Sequence, residues 1–60
     1  MNEILTVNEL AARWRTGRDH VLRMLGREEL PYFKKGNLKL IRVEDVEDYE
    51  KANTKEWVGL

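Results

Sequence analysis

The amino-acid sequence predicts a small α+β fold of three helices and one β-hairpin. Three observations carry that prediction. Two apolar stripes at helical spacing flank a break at Thr16-Gly17. Two short extended runs flank Lys35-Gly36-Asn37. A third helical stripe, thickly coated with acids, follows from Val43. Sixty residues hold a single module, which we divide into a domain over 1–54 and a short C-terminal tail over 55–60.

The first helix is expected over about residues 7–14. Thr6-Val7-Asn8-Glu9 reads as a capping box, in which the Thr6 hydroxyl accepts from the Glu9 N–H and Glu9 reaches back. Leu5, just before the cap, is placed to staple onto Leu10. Val7, Leu10, Ala11 and Trp14 recur at i, i+3, i+4 and i+7, so all four are assigned to the core, with Arg13 and Arg15 on the solvent side. Thr16-Gly17 then breaks the helix.

A second helix is expected from about Arg18 to Arg27, with Val21, Met24 and Leu25 as its stripe and Thr16 or Gly17 as its cap. Asp19 in the first turn suits the helix dipole. Gly26 costs roughly 1 kcal/mol against Ala, so a frayed last turn is expected. Arg18, Asp19, His20, Leu22, Arg23 and Arg27 are left off the core stripe. The residue before Pro31 is forced towards extended backbone, which ends the helical region at Leu30.

Tyr32-Phe33-Lys34 and Leu38-Lys39-Leu40-Ile41 read as two short strands joined by Lys35-Gly36-Asn37, where Gly and Asn tolerate positive φ. The hairpin has a basic tip. The last helix starts near Val43 or Glu44, runs on Val46, Tyr49 and Ala52, and stops at Asn53-Thr54. Its acids, Glu44, Asp45, Glu47, Asp48 and Glu50, are assigned to a solvated face.

Charge narrows the functional classes. The chain carries 11 basic and 11 acidic groups, a net of zero, which on its own argues against a nucleic-acid partner. The zero divides, however. Residues 1–43 hold nine basic against five acidic groups, and residues 44–60 hold two against six, so the parts carry +4 and −4. Such asymmetry points to a basic working surface between Arg13 and Arg42. The absence of Cys excludes disulfides and thiolate metal sites. The lone His20 has no second ligand at useful spacing, so no metal or other cofactor is expected. With no Ser, no Cys and no glycine-rich loop before a Lys, no catalytic residue and no enzymatic activity are expected. No apolar run reaches the roughly 18 residues of a membrane span, and Met1-Asn2-Glu3-Ile4 lacks a signal-peptide pattern, so a cytoplasmic location away from membranes is expected.

Helix, three-residue turn, helix and basic hairpin, in that order, form a helix-turn-helix with a wing. A helix fits the major groove of duplex DNA, and the second helix of such a unit brings its N-terminal residues to the base edges. A hairpin beside it lays lysines on neighbouring phosphates.

Four stretches carry a more specific resemblance: Leu5-Thr6-Val7-Asn8-Glu9-Leu10-Ala11-Ala12, then Arg18-x-x-Val21-x-Arg23, then Leu30-Pro31-x-Phe33-Lys34-x-Gly36, then Ile41-x-x-Glu44-Asp45-Val46-x-x-Tyr49. Together they resemble the excisionase-type, MerR-like winged helix-turn-helix family, without a gap from Leu5 to Tyr49. The resemblance implies a small module that binds double-stranded DNA. In phage and mobile-element excisionases, which direct recombination, such modules bend attachment-site DNA, bind as several copies side by side and contact an integrase-type recombinase. A transcription regulator of the same fold is the alternative within this class. The family's DNA-facing positions fall on Arg18, Asp19, His20, Leu22 and Arg23, to which Arg27 of the same helix is added. Its wing falls on Lys34, Lys35, Gly36, Asn37 and Lys39. The family usually has Ser at Gly17, a Tyr or other polar residue at Leu22, and basic residues at Leu38 and Leu40 with an aromatic at Lys39. Either the strand exchanges its faces locally or the leucines make a protein contact. A rival from another class is therefore a protein-interaction module that has lost DNA binding and uses Leu22, Leu38, Leu40 and the tail. Trp57, Val58 and Leu60 in that tail are candidates either for covering a thin core or for meeting a partner.

Overall fold

A computed structural model describes residues 3–54. The chain enters as a short strand, β1 (Ile4–Thr6), and turns directly into α1 (Val7–Arg13). The turn is made by the expected capping box: the Glu9 N–H donates to Thr6 Oγ1 at 3.1 Å, and the Thr6 N–H donates to Glu9 Oε1 at 2.9 Å. After α2 (Arg18–Gly26) come β2 (Phe33–Lys35), β3 (Leu38–Arg42) and α3 (Val43–Asn53). The sheet is antiparallel in the order β1-β3-β2. The strand β1 is an addition to the expected hairpin. Three residues, Ile4–Thr6, are too few to show a period of two, but Ile4 pairs with Arg42, Leu5 with Ile41 and Thr6 with Leu40. The Val43 N–H donates to the Glu3 carbonyl at 2.9 Å, which anchors the start of α3 to the same strand.

Both helices of the helix-turn-helix end in the same way. The N–H groups of Arg15 and Thr16 donate to the carbonyls of Ala12 and Ala11, and those of Glu28 and Glu29 donate to Leu25 and Met24. These are paired Schellman motifs. Their left-handed residues are Arg15 at φ 54° and Glu28 at φ 58°, not glycines. The break before α2 is therefore made at Arg15, and Gly17, with φ −79°, is the N-cap of α2 without a side-chain hydrogen bond. The bonds around Glu28 also close the last turn of α2, where fraying was expected.

One face of the sheet packs on the helices. Val7, Leu10 and Ala11 from α1, Val21, Met24 and Leu25 from α2, Ile41 from β3 and Val46 from α3 are buried together with Leu30. Each fully buried Leu, Ile or Val contributes about 1.5–3 kcal/mol relative to exposure. The stripes of α1 and α2 are those the spacing predicts. Leu30, which the sequence marks only as the residue before Pro31, is a full core member. Trp14 is half-buried, because it sits at the C-cap of α1 and packs on the core from its edge. Leu22 is not left off the core: it is half-buried against the same cluster. Ala52 is exposed, so the apolar stripe of α3 ends at Tyr49.

The hairpin turn is tighter than expected. Lys35 pairs with Leu38, leaving a two-residue loop, Gly36-Asn37. Gly36 has φ 64°, and Arg15 and Glu28 are the only other described residues with positive φ. Positive φ at the first loop position alone is the requirement Gly meets at least cost. The register does not exchange the faces: the strand alternates regularly, and the leucines stay at the outer positions where the resemblance places basic residues. Lys39 lies on the face that Ile41 turns into the core, whereas Leu38 and Leu40 lie on the outer face with Phe33. On that outer face the Arg42 guanidinium stacks 5.4 Å from the Phe33 ring centroid.

Candidate nucleic-acid interface

The first turn of α2 presents Arg18, Asp19 and His20 to solvent, with Arg23 exposed one turn on. No side chain caps this helix, so its leading backbone N–H groups face outward without a side-chain acceptor. Arg27 lies at the other end of α2, as its C-cap, and pairs with Glu29 at 2.8 Å.

On the hairpin, Lys34, Lys35, Gly36 and Asn37 are exposed and Lys39 is half-buried. Lys34 and Lys39 are direct cross-strand partners. Like charges in that position repel, so the hairpin keeps positive charge at some cost to its own stability. Lys39 Nζ rests 5.6 Å from the Tyr32 ring centroid, which holds the ammonium over an aromatic face.

The two elements border one cleft. This cleft, of about 150 Å³, lies between the start of α1, the start of α2 and the hairpin turn. Its polar lining comes from Thr6, Asn8, Arg18, Asn37 and Lys39, and its apolar share from Val7, Leu22 and Leu38. The lining holds two cations and no acid. Arg18 Nε donates to Asn8 Oδ1 at 2.9 Å, which ties the guanidinium to α1. Sequence reasoning placed Arg18, Leu22, Asn37 and Lys39 at the working surface, named Leu38 only as a departure from the family's basic wing and a candidate protein contact, and missed Asn8 and Thr6. Asn8 stands ten positions before Arg18, outside any helical or strand period, so only the packing of α1 on α2 reveals the pair.

Away from this cleft, α3 carries the acids, and one of them is not merely solvated. Glu50 accepts from Arg13 Nε and Nη2, each at 2.9 Å, and from the Trp14 indole N–H at 2.6 Å. The hydrogen bond from Arg13 pulls the Glu50 carboxyl below its ordinary range; partial burial opposes this, and the Trp14 bond adds to it. Arg13, expected on the solvent side, is thus engaged with α3. Trp14 also stacks on Tyr49, with ring centroids 5.5 Å apart. Helix α3 carries five acids against Lys51, whereas the hairpin from Phe33 to Arg42 carries only bases.

Among the described residues, no helix is long and apolar enough to cross a membrane, and no group of three or more His, Cys, Asp or Glu side chains is arranged to hold a metal. Trp57, Val58 and Leu60 lie outside the described residues.

Comparison with curated proteins and with solved structures returns no match. A family model described as a helix-turn-helix domain matches residues 4–54, the stretch that holds both Schellman-capped helices, the hairpin and α3. This membership points to DNA as the partner, and the chain belongs to the helix-turn-helix domain family.

Proposed function

We propose that this chain is an excisionase-type protein that binds and bends attachment-site DNA, with α2 in the major groove and the β2–β3 hairpin on the adjacent backbone. The observation that carries the reading is the cleft itself, where Arg18 of α2 and Lys39 of the hairpin line one cavity that contains no acid. A helix and a wing joined over a shared positive cleft suit a groove edge and its neighbouring phosphate. Arg18, Asp19, His20, Leu22 and Arg23 face the groove, Arg27 follows at the end of the helix, and Lys34, Lys35, Gly36, Asn37 and Lys39 follow the backbone. Adjacent copies on the DNA and an integrase-type recombinase complete the proposed assembly, with the Trp57 tail as the protein contact. Any bend has to be repaid by the added contacts.

Binding is tested by titrating duplexes at several salt concentrations. A steep loss of affinity with salt is expected. A protein that shifts no duplex at micromolar concentration, yet self-associates, would instead be an interaction module. The exposed outer-face residues Ile4 and Leu38, at 46% and 55%, are the observation favouring that second reading. Comparing attachment-site flanks with promoter DNA separates the excisionase from a transcription regulator, since tight sites confined to promoters belong to the latter.

A further inference from the structure

We propose that Asn8, on the first helix, is a positioning residue for DNA binding: it holds Arg18 over the cleft so that Arg18 and Lys39 close on one phosphate group. This rests on the DNA-binding reading above and assigns a role to a helix that reading leaves out.

Arginine carries five N–H donors in a fixed fork on a long, flexible stem. Left free, the stem has to be ordered when the anion arrives. Here the Nε–H is already engaged with Asn8 Oδ1 at 2.9 Å. That bond uses the donor nearest the stem and leaves the terminal nitrogens available. Asn8 belongs to α1, which is pinned by its capping box and buried through Val7, Leu10 and Ala11, so the backbone that carries the acceptor is fixed. Across the cleft, Lys39 is held over Tyr32 and faces the like charge of Lys34 on the next strand. An anion between Arg18 and Lys39 relieves that repulsion. The cleft, about 150 Å³, has room for a phosphate group with attached water at roughly 30 Å³ per water. Thr6 also lines it, and its hydroxyl oxygen already accepts from the Glu9 N–H, which leaves the hydroxyl proton as a further donor. The shared chemistry is a phosphate, supplied by a DNA phosphodiester.

The test uses the full chain and a fluorescent duplex. Asn8→Ala is expected to weaken duplex binding about three- to tenfold, the worth of one hydrogen bond, with the salt slope unchanged. Arg18→Ala is expected to weaken it and lower the slope by about 1. Asn8→Ala/Arg18→Ala is expected to match Arg18→Ala alone, because Asn8 acts through Arg18. Asn8→Asp supplies a control for folding: an acid in the first turn of α1 favours the helix, so its melting temperature is expected to hold or rise while duplex affinity falls. Equal losses from Asn8→Ala with and without Arg18 overturn the proposal, and so does a duplex affinity that Asn8→Ala leaves unchanged. In a second arm, inorganic phosphate is titrated at constant ionic strength while the Arg18 Nε–H resonance is followed by NMR. Should the wild type bind no duplex but show a phosphate-dependent shift that Asn8→Ala abolishes, the positioning role stands, the anion is a free phosphate, and the DNA reading falls. Absence of both duplex binding and a phosphate shift overturns both.

Discussion

Arg13 and Glu50 meet in a two-bond pair that ties the end of α1 to the last turns of α3, with both donors at 2.9 Å. The pair is about one-third exposed on each side, so screening keeps its worth small, about 0.5–1 kcal/mol even with two parallel bonds. Its pH dependence is nevertheless distinctive. The Glu50 carboxyl is lowered from its ordinary value of 4.5, chiefly by the Arg13 hydrogen bond. A lowered carboxyl contributes stability that is complete above the unfolded value and lost as pH falls through the folded one. Glu50→Gln is therefore expected to be less stable than the wild type at pH 7, with the difference shrinking as pH falls from the ordinary carboxyl value through the lowered folded one. Urea unfolding of both proteins across that range measures it. A difference that persists at low pH would mean that Trp14 packing, not the ion pair, is what the substitution disturbs.

A second prediction follows from where the glycines stand. Glu28 occupies the left-handed position that ends α2, where a side chain costs roughly 1–2 kcal/mol. Gly26 occupies the last position of the helix itself, and a Cβ added there meets nothing within 4 Å. The glycine is thus two residues early for its usual use. Gly26→Ala and Glu28→Gly are each expected to stabilise by about 0.5–1 kcal/mol, since the flexibility of Gly in the unfolded chain offsets part of the relief at residue 28. For a domain of this size that is a rise of a few degrees in melting temperature, roughly 4–8 °C per kcal/mol. A lower melting temperature for Glu28→Gly would show that the Glu28 side chain makes a contribution outweighing its backbone strain.

That displacement also explains which parts of the fold the sequence makes legible. The stripes Val7-Leu10-Ala11 and Val21-Met24-Leu25 are periodic, and they are buried as the period requires. The capping box is local chemistry at fixed spacing and appears bond for bond. Helix ends depend instead on backbone conformation, and Arg15 and Glu28 adopt a conformation that their side chains disfavour. Strand β1 depends on a partner 36 residues away, since Leu5 opposes Ile41. The working surface divides in the same way. Arg18 and the hairpin lysines follow from element order, whereas Asn8 and the face of Lys39 follow only from tertiary register.

The third prediction concerns that register. Lys34 and Lys39 oppose each other across β2 and β3. Lys34→Glu replaces repulsion with attraction and is expected to stabilise the fold by about 0.2–1 kcal/mol. The same change places an acid beside the proposed DNA backbone and is expected to weaken duplex binding. Melting temperature and duplex affinity should move in opposite directions. If both fall, Lys34 is needed by the fold and its pairing is not the liability proposed.

The last prediction separates base contact from backbone contact. Arg23 projects from the exposed face of α2 and Lys35 from the hairpin beside its turn, and both are exposed. On the proposed docking, Arg23 meets a base edge or clamps a phosphate at the groove, while Lys35 meets only phosphate. Lys35→Ala is then expected to weaken all duplexes about equally and to lower the salt slope by about 1, because one fewer counterion is released. Arg23→Ala is expected to weaken binding to the preferred duplex, and by about 1–3 kcal/mol more than to others if it reads a base. Gel-shift titrations of both variants on a preferred and an unrelated duplex, at two salt concentrations, measure these effects. A Lys35→Ala loss confined to one sequence would put the hairpin in a groove rather than on the backbone. An unchanged affinity for Arg23→Ala would remove α2 from the major groove, and with it the docking proposed for this chain.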